Sequence, residues 1–82
     1  MNEEKYYSQK DMIKQINHSK YSIRATLQNF GVRNRLRKIC NGRPISYSET
    51  LIREINNFMD SRQRYVQSRN NFKNFIERLR YE

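Results

Sequence analysis

Residues 8–31 constrain this chain most, because their apolar side chains recur only at helical spacing. Ser8 stands three residues ahead of Asp11, a spacing similar to a capping box with Asp in place of Glu or Gln. Met12, Ile13 and Ile16 then share one helical face, which predicts a helix over residues 9–17. Asn17-His18-Ser19 interrupts the pattern, and Ser19 suits the cap of a second helix over residues 20–30. In that helix Ile23, Leu27 and Phe30 recur at spacings of four and three, and Gly31 is the expected C-cap. Ahead of Ser8, one of Tyr6 and Tyr7 is expected to pack on Met12 or Ile13.

Two short helices joined by about three polar residues match a helix-turn-helix, whose second helix can enter a DNA major groove. The outward residues of that second helix are Lys20, Tyr21, Ser22, Arg24, Thr26 and Gln28. Arg24 is the first candidate for a base or near-base contact, and Tyr21 the next, by stacking on sugar or a thymine methyl. Lys10 and Lys14 on the first helix suit phosphate contacts. The same pattern also fits an ordinary small helical domain with a solvated charged face. His18, in the turn, suits a structural or solvent-facing role.

Residues 32–47 carry Arg33, Arg35, Arg37, Lys38 and Arg43 and no acidic residue. Asn41-Gly42 is a strong hairpin signal, so a short two-stranded wing around it is one reading. Pro44 confines such a strand to an edge. A third helix over residues 34–39, with Leu36 and Ile39 inward, is another, and a helical turn followed by a stubby wing is a third. In all three the basic groups stay exposed. Cys40 is the only cysteine, so it forms no internal disulfide or thiolate cluster. Its basic neighbours favour a thiolate, but a packing role is the expected one.

From Ser48 onward, Leu51, Ile55, Phe58, Arg62, Tyr65, Arg69, Phe72, Ile76 and Leu79 alternate steps of four and three, with Ile52, Met59 and Val66 alongside. Ser46 or Ser48 opens this helix, Ser48 being the better placed ahead of Leu51, Ile52 and Ile55, and Glu49 complements the helix dipole. A continuous helix over residues 49–80 would run about 48 Å at roughly 1.5 Å per residue. An 82-residue body is too small to cover that length. The stripe therefore either pairs two copies as a coiled coil through Tyr65, Phe72, Ile76 and Leu79, or bends near Asp60-Ser61 and folds back. Arg62 and Arg69 interrupt the seam, where an unpaired Arg is costly, so they snorkel, pair across a partner or mark that bend.

The formal net charge of +9, from 17 basic against 8 acidic residues, points to a polyanionic partner. The polar, acidic N-terminus does not read as a signal peptide, and no apolar run is long enough to span a membrane. A cytoplasmic protein is expected. No nucleophile–base pair, paired acids, metal cluster or phosphate-binding Gly loop stands out, so neither catalysis nor a cofactor is expected.

Several stretches resemble the winged helix-turn-helix group that includes MerR-type regulators and small phage or plasmid excisionases. Tyr7-Ser8-Gln9-Lys10-Asp11-Met12 is similar to their lead-in and first helix, and Ser19-Lys20-Tyr21-Ser22-Ile23-Arg24 to the start of their recognition helix. Asn41-Gly42-Arg43 and Tyr47-Ser48-Glu49 look like the wing tip and the start of the next helix. Asn17 stands where a glycine is usual, and Ala25-Thr26 where an aromatic pair is common. The resemblance implies Lys20, Tyr21 and Arg24 in the major groove, Arg43 in the wing, and dimerisation through the C-terminal helix.

The expected fold is thus mainly α. A small helix-turn-helix domain over residues 6–58, with or without a β-hairpin wing, precedes a C-terminal helix over residues 59–82 that serves self-association. The expected DNA-contact set is Lys10, Lys20, Tyr21, Ser22, Arg24, Gln28, Arg33, Arg35, Arg37, Lys38 and Arg43. The expected function is sequence-specific binding of double-stranded DNA as a small regulator or phage or plasmid accessory protein: a repressor, an excisionase, or a replication or partition factor. A module that binds an acidic host protein and an RNA-binding protein are the alternatives.

Overall fold

The structure is a computed structural model and describes residues 4–61 and 66–81. It is mainly α. The order is β1 (Tyr6–Tyr7), α1 (Gln9–Gln15), α2 (Lys20–Asn29), α3 (Val32–Cys40), β2 (Tyr47–Ser48), α4 (Glu49–Asp60) and α5 (Val66–Arg78).

Three helices start on serines, as their sequences require. Ser8, Ser19 and Ser48 each accept, at 3.2 Å through Oγ, the backbone N–H of the residue three positions on. Each bond satisfies an otherwise orphaned amide, an arrangement worth about 1 kcal/mol. α1 ends earlier than residue 17, because Ile16 turns extended and is buried. Gly31 closes α2 in the left-handed region, at φ +63°, and is also the residue from which α3 starts. The α1–turn–α2 unit is therefore present, and the body is broadly helix-turn-helix-like in shape.

Residues 32–47 resolve in favour of the third helix, and the hairpin about Asn41-Gly42 does not form. Val32, Leu36 and Cys40 make one buried helical stripe. Asn41 and Gly42 both have positive φ, at 50° and 86°, but they terminate α3 instead of turning two strands. The physical signal was real, since a left-handed helix cap and a type I′ turn need the same residues. A two-stranded antiparallel pair does exist. Its strands are far apart in sequence, Tyr6 facing Ser48 and Tyr7 facing Tyr47.

That pair fastens the lead-in to α4. Glu49 N–H donates to Lys5 O, Lys5 N–H to Glu49 Oε1, and Thr50 N–H to Glu4 Oε1 at 2.8 Å. The Thr50 bonds hold the Glu4 carboxyl below the usual carboxylate range. Tyr7 packs on the core, whereas Tyr6 stays 45% exposed and meets Tyr81 edge-to-face at 5.0 Å.

The C-terminal stripe folds back on its own chain. α4 ends at Asp60, and α5 packs against both α3 and α4. A 48 Å rod would in any case exceed the body, whose longest extent is 33 Å. Phe58 and Phe72 stack at 4.5 Å, and Phe30 meets both edge-on. Phe72, Ile76 and Leu79 lie in the same core as Met12, Ile23, Leu36, Tyr47 and Ile55. Phe72, Ile76 and Leu79, expected to bind a second copy, are thus buried against this chain's own core. Arg62 and Tyr65 of that stripe lie outside the described residues.

Candidate nucleic-acid interface

α2 and α3 pack together, each contributing one apolar stripe to the core. Their outer sides form the walls of a cleft of about 500 Å³. Arg24, Leu27 and Gln28 line it from α2, Arg33, Asn34 and Arg37 from α3, with Gly31 between and Gln9 from α1. Arg24 with Gln28, and Arg33 with Arg37, are spaced four apart, which sets each pair on one helical face. Three guanidinium groups and three side-chain amides therefore converge, and among the described residues no carboxylate lines the cleft.

Sequence explains why no carboxylate is among the described residues lining the cleft. Between Asp11 and Glu49 the chain has no acidic residue. Asp60, on α4, instead meets His18 Nε2 through Oδ1 at 2.7 Å, and neither residue lines the cleft. The first turn of α3 adds partial positive charge, since Gly31 gives it no side-chain cap.

Gln9 is held from behind. The Tyr47 hydroxyl donates to Gln9 Oε1 at 3.1 Å. Tyr47 is fully buried, and burial pushes its phenol up to about 12 although nearby Arg33 pulls it down. It stays a neutral donor, so the Gln9 carbonyl is occupied and its amide N–H groups remain free to donate. The cleft is thus cationic and rich in donors, the chemistry of a site for an oxyanion.

Of the residues singled out from sequence, Arg24, Gln28, Arg33 and Arg37 come together here. Lys20 and Tyr21 stand at the start of α2, with Tyr21 71% exposed and Lys20 Nζ 5.4 Å from its ring centre. Ser22 is exposed, but its hydroxyl accepts from Ser19 Oγ at 3.0 Å within the cap. Lys10 is exposed on α1, and Lys38 on the last turn of α3. Arg43 lies apart, in a second cleft of about 480 Å³ with Tyr6, Pro44 and Tyr81. The Tyr81 hydroxyl is fixed there, donating to Ser46 O at 2.7 Å and accepting from Ser48 N–H at 3.1 Å.

Arg35 departs from its expected exposure. It is half-buried, and its Nε and Nη2 both donate to Leu79 O, at 3.2 and 2.8 Å. That carbonyl lies at the end of α5, where helical carbonyls lack intrahelical partners. Arg35 therefore ties α3 to α5. Sequence reasoning missed Gln9 and Asn34. Asn34 lies in the acid-free run between Asp11 and Glu49, wider than the basic segment of residues 32–47, whereas Gln9 precedes that run and no sequence signal marks it.

Among the described residues, no three of His, Cys, Asp and Glu gather as metal ligands would, and no helix is long and apolar enough to cross a membrane. No family model, curated protein or solved structure was found to match this chain.

Proposed function

We propose that this chain binds double-stranded DNA through its α2–α3 face, as a small regulator or phage or plasmid accessory protein acting by occupancy. The observation that carries this reading is the cleft where Arg24, Arg33 and Arg37 converge from two helices with amide donors and, among the described residues, no carboxylate. Such a face neutralises phosphates, which gives affinity, while the exposed start of α2 offers Lys20 and Tyr21 to a groove. The helix-turn-helix-like order of α1 and α2 supports the same orientation.

The test is retention from a pool of randomised duplex DNA at near-physiological salt, with sequencing of the retained fraction. Enrichment of a defined motif is the expected result. Retention without enrichment would leave a purely electrostatic binder. No retention would overturn the reading and move attention to an acidic protein partner.

A further inference from the structure

We infer that the α2–α3 cleft is a seat for one phosphate group, held by Arg24, Arg33 and Arg37 together. The inference rests on the DNA reading for its expected source, a single phosphodiester of the duplex backbone. It deepens that reading by assigning Arg24 to the backbone and leaving base contact to Lys20 and Tyr21.

The three arginines arrive on two different helices, so their fork-shaped donors approach one volume from separate walls. Guanidinium groups present planar donor pairs that match tetrahedral oxyanions, which a scatter of surface lysines does not. Gln9 adds a neutral donor whose orientation is set by the buried Tyr47 hydroxyl at 3.1 Å. Among the described residues no carboxylate lines the cleft beside Gln9 and the arginines, so the mutual repulsion of three cations favours an anionic ligand there. The volume of about 500 Å³ exceeds what a lone phosphate fills and suits a phosphate with its flanking sugars. Gly31, between the two helices, leaves that part of the cleft without a side chain.

The experiment replaces one phosphodiester at a time in a short duplex by a neutral methylphosphonate. Binding of the unmodified protein is compared with that of the Arg33→Ala/Arg37→Ala double variant. In parallel, arginine side-chain NMR signals of both proteins are followed on adding inorganic pyrophosphate. Both substituted residues are exposed, so the fold should survive, and circular dichroism checks that.

The expected result is one backbone position at which neutralisation weakens the unmodified protein about tenfold and the double variant less than about twofold, the size of a lost charge-assisted bond. Equal losses for both proteins at every position would overturn the seat while leaving the DNA reading intact. No duplex binding, but joint saturable shifts of Arg24, Arg33 and Arg37 with pyrophosphate, would keep the seat, assign it to a soluble phosphate and overturn the DNA reading. No duplex binding and no such shifts would overturn both.

Discussion

Neighbouring arginines on α3 do different work because a helix turns 100° per residue. Arg33 and Arg37 line the cleft, while Arg35 points to α5 and holds the Leu79 carbonyl. Arg35→Ala should cost about 1.5–3 kcal/mol, the range for a bond from a charged donor, and lower the melting temperature by several degrees. Arg33→Ala should leave melting unchanged within about 0.5 kcal/mol, as for a surface change, yet weaken duplex binding several-fold. Paired melting and binding assays on the two variants check this, and the reverse pattern would break the assignment. Tyr47 and Tyr81 give a second prediction at this scale. Burial pushes both phenols up to about 12, above their ordinary 10. The fold therefore favours their neutral forms, and that stability is complete below pH 10 and is lost as pH rises toward 12. Denaturant midpoints across that window should fall, and Tyr47→Phe should flatten part of the fall. Glu4 has the opposite sign: its lowered pKa adds stability above the ordinary carboxylate range, lost as pH falls through the lowered value.

At the scale of elements, the caps were the most legible feature. Ser8, Ser19 and Ser48 each sit one residue before a helix, because a hydroxyl in that place does one local job. Ser48→Ala should cost at least about 1 kcal/mol, as it removes a cap that is itself buried; a calorimetric change near zero would argue against the cap's role. Two other features had two solutions each. Asn41-Gly42 supplies positive φ, which ends a helix or turns a hairpin equally well, and only the burial of Leu36 and Cys40 decides between them. The stripe from Leu51 to Leu79 keeps its period whether the helix runs on or folds back, so periodicity alone could not distinguish a partner's surface from this chain's own core. The strand pair was hidden for another reason. It joins Tyr6–Tyr7 to Tyr47–Ser48, and two residues a side leave no alternation to detect. The cleft was half legible: Arg24, Gln28, Arg33 and Arg37 stood out by type, but Gln9 joins them only through the fold. If α5 belongs to the core as its burial indicates, Phe72→Ala should cost about 3–5 kcal/mol by opening a cavity between Phe30 and Phe58.

For the whole molecule, charge and topology agree. The acid-free run from Met12 to Ser48 takes in most of α1, all of α2 and α3, and the loop beyond, whereas Glu4, Glu49, Glu54, Asp60 and Glu77 fall on the lead-in, α4 and α5. One contiguous stretch of chain thus concentrates positive potential, and the remainder supports it. If about five phosphates are neutralised per protomer, the slope of log affinity against log salt should be near −4.5. A slope close to zero would mean that phosphate contacts do not supply the affinity. Net charge alone could also produce a steep slope, so the most direct measurement compares two variants of equal charge. Arg33→Glu/Arg37→Glu reverses the cleft, and Arg53→Glu/Arg69→Glu reverses two exposed residues on α4 and α5. Duplex affinity at one fixed salt concentration should fall at least about tenfold further for the cleft variant, the equivalent of one lost charge-assisted contact. Equal losses from the two variants would contradict the central claim, because the duplex would then be reading the protein's total charge and not its α2–α3 face.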